Sequence, residues 1–360
     1  MSESIYLAAL HSIGITQKKL HIIFEKNQNY KNLFDNISSE TLKNFGFLEK
    51  KIEAIIERKS KVKLDTLKKK IEQRGVQLIT IHDEKYPDLL RQIPNPPYVF
   101  YLRWDIDSTP KISVVWSRKM TSYGDILIDK VVWDISKYFV IVSGWAAWCD
   151  TKSHEIALKK WNKTLSVIGT WIDIDYPVVN KKLYDKIVDS WGWVISIFPI
   201  WEVWNPYNFP VRNEIVAWLS VWLIVIEAWS KSGTLITANL ALDMWKDIFA
   251  VPWDIFKSHS AGCNNLIQKW SAKLITCSED VLEEYINIHW KNHIESDEIK
   301  IKFADSTEKD IYNILLLENM SIDELSRKMW LDIATLSFKL SIMEINQIIR
   351  KWIWGKYHLN

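Results

Sequence analysis

The groups in this chain that could do chemistry are spaced to hold an anion. Arg118 follows the apolar run Ile112–Val115 in the loop Trp116-Ser117-Arg118. A guanidinium at a strand end can grip a phosphate through two parallel N–H donors, a use that suits such a loop better than a structural salt bridge. Ser117 and Thr121 in that loop, and Ser143 and Gly144 in the next, can add hydroxyl and backbone N–H donors; Trp116 and Trp145 stand beside them. Arg212, with Asn213 beside it and Asn208 before it, lies where Asn208-Phe209-Pro210 opens a helical segment, so it can face the same strand ends or cap that helix. Lys231-Ser232-Gly233-Thr234 begins another helix, whose first N–H groups lack partners within the helix and attract negative charge. Together these loops predict a positively charged pocket that tracks a phosphodiester backbone. Phe139 and Phe209 are candidates to stack on bases, with burial in the core as the alternative.

Catalysis has less behind it. His154 follows Asp150 by four residues, a spacing open to acid/base chemistry, but Asp150 is better placed to cap the helix that carries His154. Cys149, Cys263 and Cys277 form no Cys-x-x-Cys pair, no His/Cys/Asp cluster has metal-ligand spacing, and no Ser/His/Asp order stands out. No catalytic residue, metal or cofactor is expected.

Such loops need strands to hold them. Short apolar runs recur at Val76–Ile81, Ile112–Val115, Val140–Val142, Leu165–Ile168, Val194–Ile197, Leu223–Ile226, Ile248–Val251 and Lys273–Thr276, split by helical segments. Most are β-branched and apolar on both faces, as buried parallel strands are. The fold class is therefore α/β, a doubly wound Rossmann-like parallel sheet over residues 76–286. Residues 1–75 read as a helical domain in which Gly14 and Gly46 each precede a basic amphipathic run, as in helix-hairpin-helix modules. Residues 287–305 read as a polar linker. Residues 306–360 have the layout of a winged helix: helix, capping box Ser321–Glu324, second helix, then a hairpin over Ile348–Tyr357. Its second helix, Ile333–Ile345, has Lys339 as its only base, so protein contact or autoregulation fits it as well as DNA contact.

Lys and Arg number 46 and Asp and Glu 44, which excludes a histone-like binder and leaves room for a local basic groove. Hydrophobic residues at 48% exclude disorder. The start Met1-Ser2-Glu3-Ser4 lacks a basic signal-peptide region, and the most apolar window, Leu219–Ala228, is too short for a membrane span and contains Glu227. A cytoplasmic protein is expected. One count is anomalous: 21 Trp against 10 Gly. At the usual share, about 7%, glycine would number about 25. Trp161, Trp245, Trp270 and Trp330 fall where helical segments end, the place where glycine adopts positive φ. Trp116, Trp145, Trp148 and Trp171 fall in loops after strands, where a backbone approaching phosphate needs glycine. Many of these letters are therefore expected to stand for glycine in the living protein, through a UGA codon read as glycine. Genuine tryptophan for base stacking is the rival, and it leaves the helix ends unexplained.

Read with glycine at those positions, the chain resembles the DprA/Smf DNA-processing family. The resemblance rests on Trp116-Ser117-Arg118-Lys119-Met120-Thr121-Ser122-Tyr123-Gly124, Ser143-Gly144-Trp145-Ala146-Ala147-Trp148-Cys149-Asp150 and Ile168-Gly169-Thr170-Trp171-Ile172-Asp173. It continues through Asn208-Phe209-Pro210-Val211-Arg212-Asn213, Ser232-Gly233-Thr234-Leu235-Ile236-Thr237-Ala238 and Ala250-Val251-Pro252-Trp253. It implies a homodimeric protein, not an enzyme, that binds single-stranded DNA, protects incoming strands in natural transformation and loads the RecA recombinase. Three places depart from the family pattern: Ala147 and Glu214 stand where it has arginine, and Ser196-Ile197 where it has Ser-Glu. The Rossmann-like sheet also resembles nucleotide phosphoribohydrolases, whose catalytic Glu slot is here occupied by Thr237. A duplex-binding regulator acting through the C-terminal segment is a third reading.

Overall fold

The computed structural model describes the chain except residues 1, 27–28, 105, 118–120, 147–148, 173, 175, 201–204, 206, 286–304, 316–319, 347, 352–355 and 360. Contacts divide it into two units, Met1–Ile286 and Asn287–Asn360. Arg118, Ala147 and Trp148 lie outside the described residues, as does nearly all of the segment read as a linker.

The first unit opens with six helices: α1 (Glu3–Ser12), α2 (Gln17–Lys26), α3 (Tyr30–Asp35), α4 (Ser39–Asn44), α5 (Glu49–Lys61) and α6 (Leu64–Gln73). Then come β1 (Val76–Thr80), α7 (Asp88–Arg91), β2 (Val99–Arg103), β3 (Lys111–Val115), α8 (Ser122–Ile135), β4 (Val140–Ser143), α9 (Cys149–Lys159), β5 (Thr164–Val167), α10 (Lys181–Asp189) and β6 (Trp193–Ser196). The unit continues with α11 (Asn208–Trp218), β7 (Trp222–Val225), α12 (Gly233–Leu242), β8 (Ile248–Ala250), α13 (Ala261–Gln268) and β9 (Lys273–Leu274). The nine strands form one sheet in the order β1-β2-β6-β5-β4-β3-β7-β8-β9. From β6 to β9 all neighbours are parallel, in registers such as Ile112↔Ile141 and Val114↔Ile224.

The other edge differs from the sequence reading. β2 is not among the expected strands, and it pairs antiparallel with both β1 and β6, so β1 is not a parallel strand. The β2 segment follows Pro96-Pro97 and has Val99 as its one β-branched residue, so it lacks the β-branched run that marks the others. It is nevertheless buried on both faces. Val99 and Tyr101 pack with the N-terminal helices, while Phe100 and Leu102 join the core on the opposite face. The helices of residues 1–75 thus share a core with the sheet. Gln17 ties them together: its Nε2 donates to Val99 O at 2.8 Å and Ile197 O at 3.0 Å, and its Oε1 accepts from Val99 N–H at 3.1 Å. No described helix is long and apolar enough to cross a membrane.

In the second unit, α14 (Ser306–Leu315), α15 (Ile322–Met329) and α16 (Ile333–Ile345) pack with β10 (Met320–Ser321), β11 (Ile349–Lys351) and β12 (Lys356–Leu359), an antiparallel sheet with β12 in the middle. The expected capping box is present: Glu324 Oε2 accepts from Ser321 N–H at 2.7 Å, and Ser321 Oγ accepts from Glu324 N–H at 3.4 Å. Lys339 pairs with Asp305 and lies 4.0 Å from Glu308, so the one base of α16 is already engaged by carboxylates.

Candidate functional site

In a doubly wound sheet, ligands bind at the carboxyl ends of the strands where the chain order reverses. Here that point is β3, with β4, β5 and β6 on one side and β7, β8 and β9 on the other. A cavity of about 680 Å³ opens there, lined by the loops after β3, β4 and β7 and by the starts of α11 and α12. It gathers nine of the residues singled out from the sequence: Trp116, Ser117, Gly144, Arg212, Asn213, Lys231, Ser232, Gly233 and Thr234. Phe209 also lines it, with the Arg212 guanidinium 5.8 Å from its ring.

Arg212 is the centre of the wall. It is 5% exposed, and its Nη1 donates to Val167 O at 2.9 Å and lies 3.8 Å from Asp150 Oδ2. Gly144 makes this meeting feasible. A Cβ there would sit 2.2 Å from Arg212 Nη1 and 2.3 Å from Asp150 Oδ2. Arg212 is not a helix cap, because it lies inside α11. Nor does Asp150 occupy the cap position of α9; it lies in the first turn, and its Oδ2 accepts from Ala146 N–H at 2.8 Å. Asp150 therefore offsets part of the Arg212 charge, which sequence reasoning missed because the two are far apart in the chain.

His154 is fully buried, and burial pushes its imidazole down to about 4. The ring is therefore neutral near pH 7. Its Nε2–H donates to Gly144 O at 3.0 Å, and Nδ1 faces Thr164 Oγ1 at 2.7 Å. Through that bond it fixes the Gly144 peptide at the rim.

α12 brings the second cation and the open helix end. Ser232, in extended conformation, is its N-cap, and the helix runs ten residues from Gly233. Ser232 Oγ is buried, yet among the described residues it has no hydrogen-bond partner. Lys231, beside it, is exposed. Thr237, in the slot where a phosphoribohydrolase would need Glu, lines the cavity and donates to Gly233 O at 3.3 Å.

Four of the expected site residues do not line the cavity. Thr121 hydrogen-bonds the buried Glu227 carboxylate through both its hydroxyl and its N–H and caps α8. Gly124 leaves room for that carboxylate, since a Cβ there would lie 2.7 Å from Glu227 Cδ. Ser143 is fully buried and donates to Val114 O at 2.8 Å. Trp145 packs into the core edge-on against Tyr184. Asn208 donates to Gly169 O at 3.0 Å, which pins the start of α11 to the loop after β5. Arg118 is outside the described residues. Of the two stacking candidates, Phe139 is core: it is 1% exposed and packs on Trp222 and Tyr285. Among the described residues no group of three His, Cys, Asp or Glu could hold a metal ion.

Residues 77–286 match the family model of DNA recombination-mediator protein A. The chain is 39% identical over 208 residues to the DNA processing protein DprA of Streptococcus pneumoniae, covering 57% of this chain and 73% of that one. It is 34% identical over 216 residues to DprA of Bacillus subtilis, covering 59% and 72%. The solved structure of DNA processing protein A from Streptococcus pneumoniae superposes with a TM-score of 0.67 at 32% identity, covering 79% of this chain and 99% of that one. That of Helicobacter pylori, a study of its single-stranded DNA binding mode, gives 0.53 at 25% identity, covering 59% and 96%.

Proposed function

The chain belongs to the DNA recombination-mediator protein A family and so has a role in DNA processing and recombination; from that premise we propose that it binds single-stranded DNA across the strand-end cavity. On this proposal it acts by binding rather than by catalysis, shields incoming strands in the cytoplasm, and as a homodimer delivers them to a RecA-class recombinase. The observation that carries the proposal is one cavity joining the buried Arg212, the exposed Lys231 and the start of α12, with Ser232 Oγ unpaired among the described residues. Such a wall matches a phosphodiester: two cations for its charge, and a hydroxyl and first-turn N–H groups for its oxygens. Phe209 offers a ring to a base, and the same face serves any base because each has a π-face. Arg118 is proposed as a further phosphate ligand from the loop after β3.

The test is fluorescence anisotropy with labelled single strands and duplexes across a salt series. Single strands should bind in preference to duplexes, with little regard for sequence and more weakly as salt rises. Lys231→Ala should weaken binding for every sequence and flatten the salt slope by about 0.7 for each phosphate that is no longer neutralised. Arg118→Ala should weaken it severely. Equal affinity for duplex, or a slope unmoved by Lys231→Ala, would overturn the proposal. Release of free base from AMP by the purified protein would restore the phosphoribohydrolase reading.

A further inference from the structure

Among the described residues six that are not glycine have positive φ, and all six are tryptophan: Trp104 (69°), Trp161 (59°), Trp191 (61°), Trp245 (57°), Trp270 (57°) and Trp330 (53°). This backbone region places an L-residue's Cβ against the following carbonyl; Asn and Asp visit it for local hydrogen bonds that an indole cannot make. Chance does not direct the rarest of bulky residues to every such position.

The hydrogen bonds show what these positions do. At the end of α9, Trp161 N–H bonds Leu158 O and Asn162 N–H bonds Ala157 O. The same pair of bonds recurs with Trp191 and Gly192 after α10, Trp245 and Lys246 after α12, and Trp270 and Ser271 after α13. That pattern is the Schellman ending, whose left-handed residue is usually glycine. Trp330 ends α15 in the left-handed conformation. No packing repays the backbone: Trp161, Trp245, Trp270 and Trp330 are 90–96% exposed.

Inside the sheet the misfit takes another form. The indole N–H groups of Trp116 and Trp171 are buried without a hydrogen-bond partner among the described residues. Buried indoles normally find one. Both residues follow strands, β3 and β5, at the ligand-binding edge of the sheet.

We infer that the cell from which this sequence comes inserts glycine at positions 104, 116, 161, 171, 191, 245, 270 and 330, by reading UGA as glycine. These eight positions alone would bring the 21 Trp and 10 Gly of the sequence to 13 and 18. The consequence for the cavity is specific. Its wall loses the Trp116 indole, and backbone takes its place, as an approaching phosphate needs. The aromatic side chains left on the wall are then Phe209 and Trp229, and the inference holds whatever the cavity binds.

The decisive measurement is tandem mass spectrometry of the protein isolated from its own cells, read peptide by peptide. Glycine is expected at the eight positions, and tryptophan there overturns the inference. The gene gives an independent reading: UGA is expected at these codons, and UGG at 161, 245 and 270 overturns it. Two recombinant forms add a physical readout. The form with glycine at 104, 161, 191, 245, 270 and 330 should have the higher thermal midpoint, and an equal or lower midpoint counts against the inference. A tryptophan form that fails to fold leaves the peptide and codon readings intact.

Discussion

The helices before β1 and those within the sheet unit end with one backbone geometry and two different residues. In the N-terminal region Gly14, Gly46 and Gly75 hold the left-handed position, with φ of 107°, 73° and 59°. Gly46 N–H bonds Lys43 O and Phe47 N–H bonds Leu42 O, the bond pair that recurs at Trp161, Trp245 and Trp270. Before Trp104 the chain has no tryptophan, and after Gly75 no described glycine has positive φ. The demand comes from the helix end, which must turn its last carbonyls toward following N–H groups. Only the occupant changes. Two regions with the same mechanical need and different letters point to the decoding of the gene, because no physical requirement separates them.

The broadest way to break this comparison is to make the occupants equal. Changing Trp104, Trp161, Trp191, Trp245 and Trp270 to glycine in the Met1–Ile286 unit removes a left-handed penalty of about 1–2 kcal/mol at each. The Trp104 and Trp191 rings lie 4.8 Å apart and so couple, whereas the other three sites end different helices, so the total should be on the order of 5–10 kcal/mol in urea unfolding. An unchanged midpoint would mean that the fold tolerates indoles there, and the comparison would lose its energetic basis.

Acid sets the two regions apart next. Each holds one fully buried histidine: His11, whose Nδ1 faces the Tyr101 hydroxyl at 2.9 Å, and His154, which holds Gly144 O. Burial lowers His11 to about 3 and His154 to about 4. Both are neutral in the fold and bind protons when unfolded, so their stabilisation is complete above about pH 6.5 and is lost as pH falls from there toward the folded values. Each tenfold difference in proton affinity between the folded and unfolded chain is worth about 1.36 kcal/mol, so His154 alone accounts for about 3 kcal/mol by pH 4. Unfolding followed from pH 7 to pH 4 should show this loss, and a His154→Asn variant should flatten it. His154→Asn should also weaken single-strand binding, since His154 positions the cavity rim, whereas His11→Asn should change stability alone. Equal effects on binding would erase the distinction between a structural and a site-forming histidine.

Glycine itself does two jobs, and Gly144 isolates the second. Among the described glycines of positive φ it has no place; it is needed for the space that Arg212 and Asp150 occupy. Gly144→Ala forces both side chains to move, at about 1–3 kcal/mol for overpacking, and displaces the cation from the cavity. Single-strand affinity should fall markedly while the protein stays folded, as calorimetry and anisotropy together would show. Retained affinity would remove Arg212 from the binding wall.

Most of the strands and the loops of the cavity were legible in the sequence because their marks are local: β-branched runs, a glycine after a strand, a serine before a helix. What was not legible was set by partners distant in the chain. Thr121 and Ser143 look like anion donors until Glu227 and Val114 are seen to receive them, 106 and 29 residues away. Asp150 looks like a cap until Arg212 appears beside it. The strand β2 hides behind Pro96-Pro97 and its aromatic residues, and with it the turn at Trp104. At the end of α10 the neighbour of Trp191 is Gly192, the residue type that a left-handed turn favours. The left-handed residue is instead Trp191, and Gly192 serves close packing: its Cβ would lie 2.9 Å from Thr164 O.

The smallest effect is also the cleanest probe of the comparison. Gly75 ends α6 at φ 59°, nearly the angle of Trp161, and a Cβ there would meet nothing within 4 Å. Gly75→Trp therefore changes the backbone conformation's cost without a clash, and its indole projects where there is room, as those of Trp245 and Trp270 do. It should cost about 1–2 kcal/mol, and Trp245→Gly should return about the same amount with opposite sign. Gly75→Ala should cost nearly as much as Gly75→Trp, because the penalty belongs to Cβ and not to the ring. If Gly75→Trp is neutral while Trp245→Gly stabilises, the gain at Trp245 comes from its own surroundings and not from the left-handed turn, and the likeness of the two regions fails at its simplest point.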